Sequence, residues 1–206
     1  MPGFFLSDRR AERSICRAGR ARRCTPSTVA HRRRGARRAR PALQFGMPNY
    51  VRARVEGGTY FFTLTARNRS SVLVNENVRG ALREAIEAVR ARWPFTVDAW
   101  VLLPDHLHCL WTLPEGDADF SKRWSTIKRL TTQTIGESIW QERFWEHLIR
   151  DETDFQRHFD YIHWNPVKHG LAQRALDWPY STFHRHLKQG VYTADWCDTS
   201  PDLDLE

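Results

Sequence analysis

Apolar and polar residues along the chain follow two periods, and these periods predict its secondary structure. The segment 59–67 (TYFFTLTAR) is rich in β-branched and aromatic residues and follows two glycines, which is typical of a strand after a turn. Within 75–93, apolar residues recur at spacings of three and four, which predicts an amphipathic helix that ends before a proline. Segments 95–104 and 106–113 then predict two strands that pair as a hairpin across a Pro-Asp turn.

A second helix, a short strand and a third helix follow the hairpin. Residues 119–135 repeat apolar side chains on one helical face, whereas 143–150 (RFWEHLIR) predicts a short strand. The last helix, over 153–164, is expected to end near Asn165-Pro166, because a residue before proline resists the α conformation. The order β-α-β-β-α-β with an extra helix predicts an α+β fold of the ferredoxin-like, split βαβ type.

The composition limits the class of protein. A chain of 206 residues, 41% of them hydrophobic, is long enough for one domain with a core and leaves little room for a second. No stretch approaches about 18 consecutive apolar residues, which excludes a transmembrane helix. The four cysteines are scattered without a C-x-x-C pair, so we expect neither a disulfide framework nor a structural zinc site, and a reducing cytosol fits best.

The net charge of +8 belongs entirely to the N-terminal segment 1–46. This segment holds 13 arginines against Asp8 and Glu12, a net charge of +11, whereas the remaining chain has 19 basic and 22 acidic residues. The high isoelectric point therefore carries no information about the folded domain, which we expect to span 47–206.

The leader 1–46 lacks apolar periodicity and contains clusters of like charge, which predicts disorder. Three interpretations compete: a basic arm that contacts DNA phosphates, an organelle transit peptide, or translated upstream sequence before a natural start at Met47. The last is favoured, because the composition changes sharply at Met47.

His106 and His108 form the sharpest candidate for chemistry. Residues two apart on a strand face the same side, so both imidazoles project together while Leu107 and Cys109 face the other side. Two neutral imidazoles form half of a divalent-metal site. The alternative is a pair of surface histidines on an edge strand, because two ligands do not close a coordination shell.

Tyr161 and Asn165 are four residues apart in DYIHWNPVKHG, a spacing that stacks both on one face of a helix. Tyrosine can act as a covalent nucleophile, but its weakly acidic hydroxyl requires a nearby metal or base. The alternative for Tyr161 is a half-buried aromatic residue with its hydroxyl hydrogen-bonded. Asn165 either offers an amide oxygen to the metal or caps a short helix that begins at Pro166.

Five sequence blocks occur in an order and spacing that resemble one family. They are GGTYFFTLTARNR, AWVLLPDHLHCLWTLPEGDADFSKRW, IWQERFWEH, DYIHWNPVKHG and DWPYSTFHR. Together they span roughly residues 49–196 and resemble the tyrosine transposases associated with repetitive extragenic palindromes (REP), within the single-tyrosine HUH superfamily. The resemblance implies a ferredoxin-like fold with an antiparallel sheet.

The same resemblance implies roles for the candidate residues. His106 and His108 would be the metal ligands, Tyr161 the nucleophile, and Asn165 lies where related transposases carry a metal-binding glutamine. The implied cofactor is Mg²⁺ or Mn²⁺. The implied substrate is single-stranded DNA with a REP hairpin, cleaved through a 5′-phosphotyrosine intermediate by a monomer or homodimer in the bacterial cytosol, with no membrane involved.

A domain with excess acidic residues needs a local basic surface to hold DNA, and the candidates are Lys122, Arg123, Lys128 and Arg129. Two other functions stay open at this point. One is a zinc-dependent hydrolase that uses the two histidines with a third and does not need the tyrosine. The other is a domesticated hairpin-binding module that has lost turnover.

Overall fold

The computed structural model describes residues 52–196, so the expectations for the leader 1–46 lie outside it. In chain order this part forms β1 (Thr59–Thr65), α1 (Glu76–Arg92), β2 (Thr96–Leu102), β3 (His106–Thr112), α2 (Phe120–Ile135), β4 (Trp145–Leu148), α3 (Glu152–Lys168) and α4 (Phe183–Lys188). Short 3-10 turns follow β1 at Arg67–Arg69 and precede α4 at Ala175–Asp177. The predicted order of strands and helices is confirmed. None of the helices in residues 52–196 is long and apolar enough to cross a membrane.

The four strands form one antiparallel sheet in the order β2-β3-β1-β4. β3 is an inner strand that pairs with β1 on one side and β2 on the other. Its first residue, His106, lies opposite Thr65 at the end of β1, and its last residue, Thr112, lies opposite Thr59. The antiparallel sheet is therefore confirmed, and the two histidines lie at the end of the sheet where β1 finishes.

Helices cover both faces of the sheet, and the alternation along β3 divides its side chains between them. Leu107, Cys109 and Trp111 lie in the apolar core beneath α1 and α2, where Trp111 stacks on Trp124 with ring centroids 4.0 Å apart. The opposite face of the sheet packs against α3 and α4. Because burial of each large apolar side chain stabilises the fold by about 2 kcal/mol, this alternation fixes the register of β3.

Arg123 is a core residue of α2, which corrects its expected place on a DNA-binding surface. Its side chain is 2% exposed, and its guanidinium makes a two-pronged ion pair with Asp117, at 2.7 and 3.1 Å. It also donates to the carbonyls of Trp93, Pro94 and Asp119. These bonds tie α2 to the loop before β2 and leave Arg123 unavailable to DNA.

We expect Arg123→Ala to lower the free energy of unfolding by about 3 kcal/mol, because it leaves the Asp117 carboxylate and two loop carbonyls without their donor. The measurement is chemical denaturation, with Lys122→Ala as the matched control on the neighbouring, exposed position. The control should change stability by less than about 0.5 kcal/mol. Equal, small effects of the two substitutions would contradict a structural role for Arg123.

Candidate active site

The two histidines of β3 lie side by side on the sheet face that packs against α3. The ring centroids of His106 and His108 are 4.9 Å apart, and both residues are 5% exposed. Leu107 and Cys109 lie in the core on the other face and are fully buried. The strand alternation therefore brings both imidazoles together and keeps the Cys109 thiol away from them.

Each imidazole uses its Nδ1 atom in a hydrogen bond with a neighbouring polar group. Nδ1 of His106 lies 2.7 Å from a carboxylate oxygen of Asp105, and Nδ1 of His108 lies 2.8 Å from the hydroxyl of Thr63. Arg69 holds Asp105 in turn, at 3.3 Å. Such partners orient a metal-binding imidazole, and they leave Nε2 of each ring to bind a cation.

Burial and neighbouring charge favour the neutral form of His108. Desolvation lowers its pKa well below the ordinary range of histidine, and the positive charges of His106, His169, Lys168 and Arg69 lower this pKa further. His108 is therefore neutral at physiological pH. The neutral imidazole is the form that ligates metal.

Helix α3 continues through the proline that was expected to end it. It runs from Glu152 to Lys168 with Pro166 inside, and the main-chain carbonyl of Asn165 accepts a hydrogen bond from the amide of His169 at 3.0 Å. The interpretation of Asn165 as the cap of a separate short helix is thus wrong. Burial of Ile162 and Pro166 against the fold outweighs the local preference of a residue before proline.

The unbroken helix presents Tyr161, Asn165 and His169 at successive turns of one face. The ring of Tyr161 lies 5.4 Å from that of His108, and the ring of His169 lies 5.1 Å from that of His106. Asn165, between them on the helix, therefore faces the histidine pair. Sequence reasoning missed His169, because its position eight residues after Tyr161 matters only if the helix continues.

Asn165 provides an oxygen atom suited to a cation. Its side chain is fully buried, and its amide nitrogen donates to the carbonyl of Tyr161 at 3.1 Å. Its amide oxygen has no hydrogen-bond partner among residues 52–196. A buried oxygen without a partner is costly, and ligation of a cation would satisfy it. Two imidazole nitrogens and an amide oxygen are donors that a divalent metal such as Mn²⁺ accepts, so the residues present fit a metal centre.

Tyr161 is 7% exposed and is surrounded by two aromatic rings and one ammonium group. It contacts Phe61 edge-on, with centroids 6.1 Å apart, as well as His108. The ammonium of Lys168, the last residue of the same helix, lies 4.9 Å from the centre of the Tyr161 ring. A positive charge at this position favours a phosphate beside the tyrosine.

A second cluster of possible metal ligands lies between β4 and α3. Potential ligand atoms of His147, Asp154 and His158 all lie within 4.8 Å of one another. Asp154 bonds to His147 at 2.8 Å and to His158 at 3.1 Å, so these side chains are already paired with each other. Burial acts to raise the pKa of Asp154, but the hydrogen bond from His147 and the amide of Arg150 outweigh it and lower this pKa.

The remaining basic candidates lie on α2, across the sheet from the histidine pair. Lys122 is exposed and packs its ammonium 4.2 Å from the centre of the Trp93 ring. Lys128 donates to the carbonyls of Gln141 and Glu142 at 2.5 and 2.9 Å. Arg129 is exposed, so Lys122, Lys128 and Arg129, unlike Arg123, can reach a ligand from solvent.

Comparison with known protein families gives a match that includes the residues of this site. The family model described as transposase IS200 like matches residues 54–165. This range begins just before β1 and includes His106, His108, Tyr161 and Asn165.

Individual relatives extend the match over most of the chain. A REP-associated tyrosine transposase of Escherichia coli (strain K12) is 50% identical over 158 residues, covering 76% of this chain and 95% of the relative. A protein of Haemophilus influenzae, provisionally assigned to the same class, is 38% identical. The match covers 78% of this chain and 98% of that protein. Among solved structures, a REP-associated tyrosine transposase bound to a REP hairpin matches with a TM-score of 0.70 and 49% identity, over 76% of this chain and 96% of that chain.

Proposed function

The chain belongs to the IS200-like transposase family, and on this premise we propose that it is a REP-associated tyrosine transposase, a metal-dependent enzyme that cuts and rejoins single-stranded DNA. Its substrate is a hairpin of the REP type in the bacterial cytosol, and residues 47–206 form its active domain. The observation that carries this proposal is the position of Tyr161 beside His106 and His108, between β3 and α3. The Escherichia coli relative and the hairpin-bound structure support it.

Tyr161 supplies the nucleophile. Its hydroxyl oxygen bonds to the phosphorus of the scissile phosphodiester, and the bond from phosphorus to the 3′-oxygen breaks. The phenol loses one proton and the leaving 3′-oxygen gains one, which gives a 5′-phosphotyrosine and a free 3′-hydroxyl. Attack by a second 3′-hydroxyl reverses the step and joins new strands. Since the number of phosphodiester bonds is conserved, the exchange needs no ATP.

His106, His108 and Asn165 would hold the cation, Mg²⁺ or Mn²⁺. When bound, it would polarise the scissile phosphate and neutralise the charge that develops there. The two imidazoles favour Mn²⁺ over Mg²⁺. Asp105 and Thr63 keep both rings in the orientation that leaves Nε2 available.

The covalent adduct between the DNA and Tyr161 provides the test of this function. A single strand with a REP hairpin, labelled at its 3′ end, should yield a labelled protein band on a denaturing gel in Mn²⁺, because the 5′ phosphate stays on Tyr161. The same strand labelled at its 5′ end should release a short labelled fragment and no labelled protein. A scrambled strand without a hairpin is the control. Cleavage that leaves no label on the protein would exclude a phosphotyrosine intermediate.

Asn165 should act as a metal ligand rather than as a structural residue alone. We expect Asn165→Ala to weaken Mn²⁺ binding by about tenfold or more, because it removes a buried amide oxygen that has no other partner among residues 52–196. Asn165→Asp keeps an oxygen and adds charge, so it should preserve or tighten binding. Both are measured by calorimetric titration with Mn²⁺, together with thermal unfolding. Lowered stability of Asn165→Ala with unchanged Mn²⁺ affinity would assign Asn165 to the packing of α3.

A further inference from the structure

Lys168 places a positive charge beside the tyrosine. Its ammonium lies 4.9 Å from the centre of the Tyr161 ring and 6.0 Å from that of the Trp164 ring. Both distances fall within the range of a cation–π contact, about 6 Å, so the two rings favour this position of the ammonium. Lys168 is exposed, whereas Tyr161 is 7% exposed. The ammonium therefore lies where DNA from solvent would meet the buried tyrosine.

The continuous helix α3 brings Lys168 and Tyr161 together. Lys168 is the last residue of the helix and follows Tyr161 by seven residues, which is two helical turns. Side chains on a helix tilt toward its N-terminus, so the side chain of Lys168 reaches back toward the tyrosine. A helix that ended before Pro166 would leave Lys168 on a separate segment. The position of the ammonium thus depends on the passage of α3 through the proline.

The charge of Lys168 acts on the histidine pair as well. Burial lowers the pKa of His108 most, and the charge of Lys168 is among the positive charges that lower this pKa further. Such an effect falls with distance, so the ammonium is close to His108 as well as to Tyr161. A phosphate that contacts both the tyrosine and the histidine pair therefore lies within reach of Lys168.

We propose that Lys168 is a further catalytic residue, whose ammonium contacts a non-bridging oxygen of the scissile phosphate. This inference rests on the proposed function. As the Tyr161 oxygen bonds to phosphorus, negative charge builds up around the phosphorus, and an ammonium already in place stabilises it. Lysine suits this task because its ammonium is a compact point charge on a flexible stem. Lys168 transfers no proton, so the bonds that form and break are those of the proposed function.

The competing role for Lys168 is structural. A lysine in the last turn of a helix interacts favourably with the carbonyls at the helix end. Its loss could therefore slow the reaction by loosening α3. Lys188 offers a matched control, because it is also exposed and is also the last residue of a helix, α4. Lys188→Met removes the same charge from the same helical position on a different helix.

Lys168→Met removes the charge and keeps an apolar stem. It should lower the single-turnover rate of adduct formation in Mn²⁺ about 10²-fold, while hairpin affinity without metal changes less than about twofold. Lys168→Arg retains the charge and should react within about tenfold of the unmodified chain. Lys188→Met should react normally. Equal thermal stability of the two methionine variants would show that the slow reaction of Lys168→Met is not a folding defect.

A neutral phosphate analogue separates the catalytic role from the structural one. A REP hairpin strand carries a methylphosphonate at the cleavage position mapped with the 5′-labelled strand, so a methyl group replaces one charged oxygen in each of two separable isomers. The unmodified chain should react with the faster isomer about 10²-fold more slowly than with phosphate, because that isomer lacks the oxygen that faces Lys168. On this isomer Lys168→Met should match the unmodified chain within about threefold, since the contact is already absent.

An equal fold-loss of Lys168→Met on phosphate and on the faster isomer would overturn the proposal and assign Lys168 to the structure of α3. No loss on phosphate, or no reaction of the unmodified chain with either isomer, would overturn it as well. Failure of the proposed function is distinct, because it is judged by the adduct of the unmodified chain with ordinary hairpin DNA. An adduct that forms equally fast in Lys168→Met would reject the role of Lys168 alone.

Discussion

Tyr161→Phe should abolish the covalent adduct and lower strand cleavage by roughly 10⁴-fold, the loss typical of removing a nucleophile. The substitution removes one oxygen atom and keeps the ring. Contacts of that ring with Phe61, His108 and the Lys168 ammonium can therefore persist. We accordingly expect hairpin affinity to change less than about twofold, so the defect is chemical rather than structural.

The measurement pairs a cleavage assay with a binding titration on the same REP hairpin. Tyr180→Phe is the matched control, because it removes the same hydroxyl from a half-buried tyrosine outside the site, beside Trp178. It should cleave normally. Normal cleavage by Tyr161→Phe would instead favour a zinc-dependent hydrolase, in which His169, 5.1 Å from His106, supplies the third histidine.

His106→Ala and His108→Ala should each lose most Mn²⁺ binding and lower cleavage by roughly 10³-fold. Each removes one of two imidazole ligands, and Asn165 with a single histidine holds a divalent ion weakly. Truncation also leaves the orienting partner, Asp105 or Thr63, without its ring. Cys109→Ser should leave metal binding unchanged, because Cys109 lies in the core on the opposite face.

His147→Ala tests the competing location for the metal. It disrupts the cluster with Asp154 and His158 and leaves the β3 pair intact. Calorimetric titration with Mn²⁺ should give normal affinity in this variant. If His147→Ala lost the metal while His106→Ala kept it, the metal centre would lie between β4 and α3, and the assignment to β3 would be wrong.

The order of elements and the placement of the two histidines could be predicted because both depend on local periodicity. A strand alternates its side chains wherever it lies, so His106 and His108 had to share a face. Confirmation of the antiparallel sheet came from the pairing of β3 with β1 and β2. Periodicity could not predict the other half of the site, because those residues lie on α3, some 50 residues later in the chain.

Two predictions were wrong for the same physical reason. Each applied a local rule at a position where long-range contacts determine the structure. Arg123 lies three residues after Phe120 and four before Ile127, on the apolar stripe of α2, and that spacing was the available signal for its burial. Its partner Asp117 and the loop carbonyls are visible only in the fold. Pro166 was expected to end α3, but packing carries the helix onward and brings His169 to the site.

The alternation of β3 determines how differently the protein tolerates a deletion and a substitution in this strand. Deletion of one codon within β3, such as that of Leu107, would turn an imidazole into the apolar core and a core side chain out of it, at a cost of several kcal/mol. Such a variant would lose its fold together with its activity. A missense change of His106 would leave a folded protein that still occupies hairpins. Loss of activity through a substitution at His106 and loss through a deletion in β3 should therefore differ in whether the fold survives, which a thermal-unfolding measurement distinguishes.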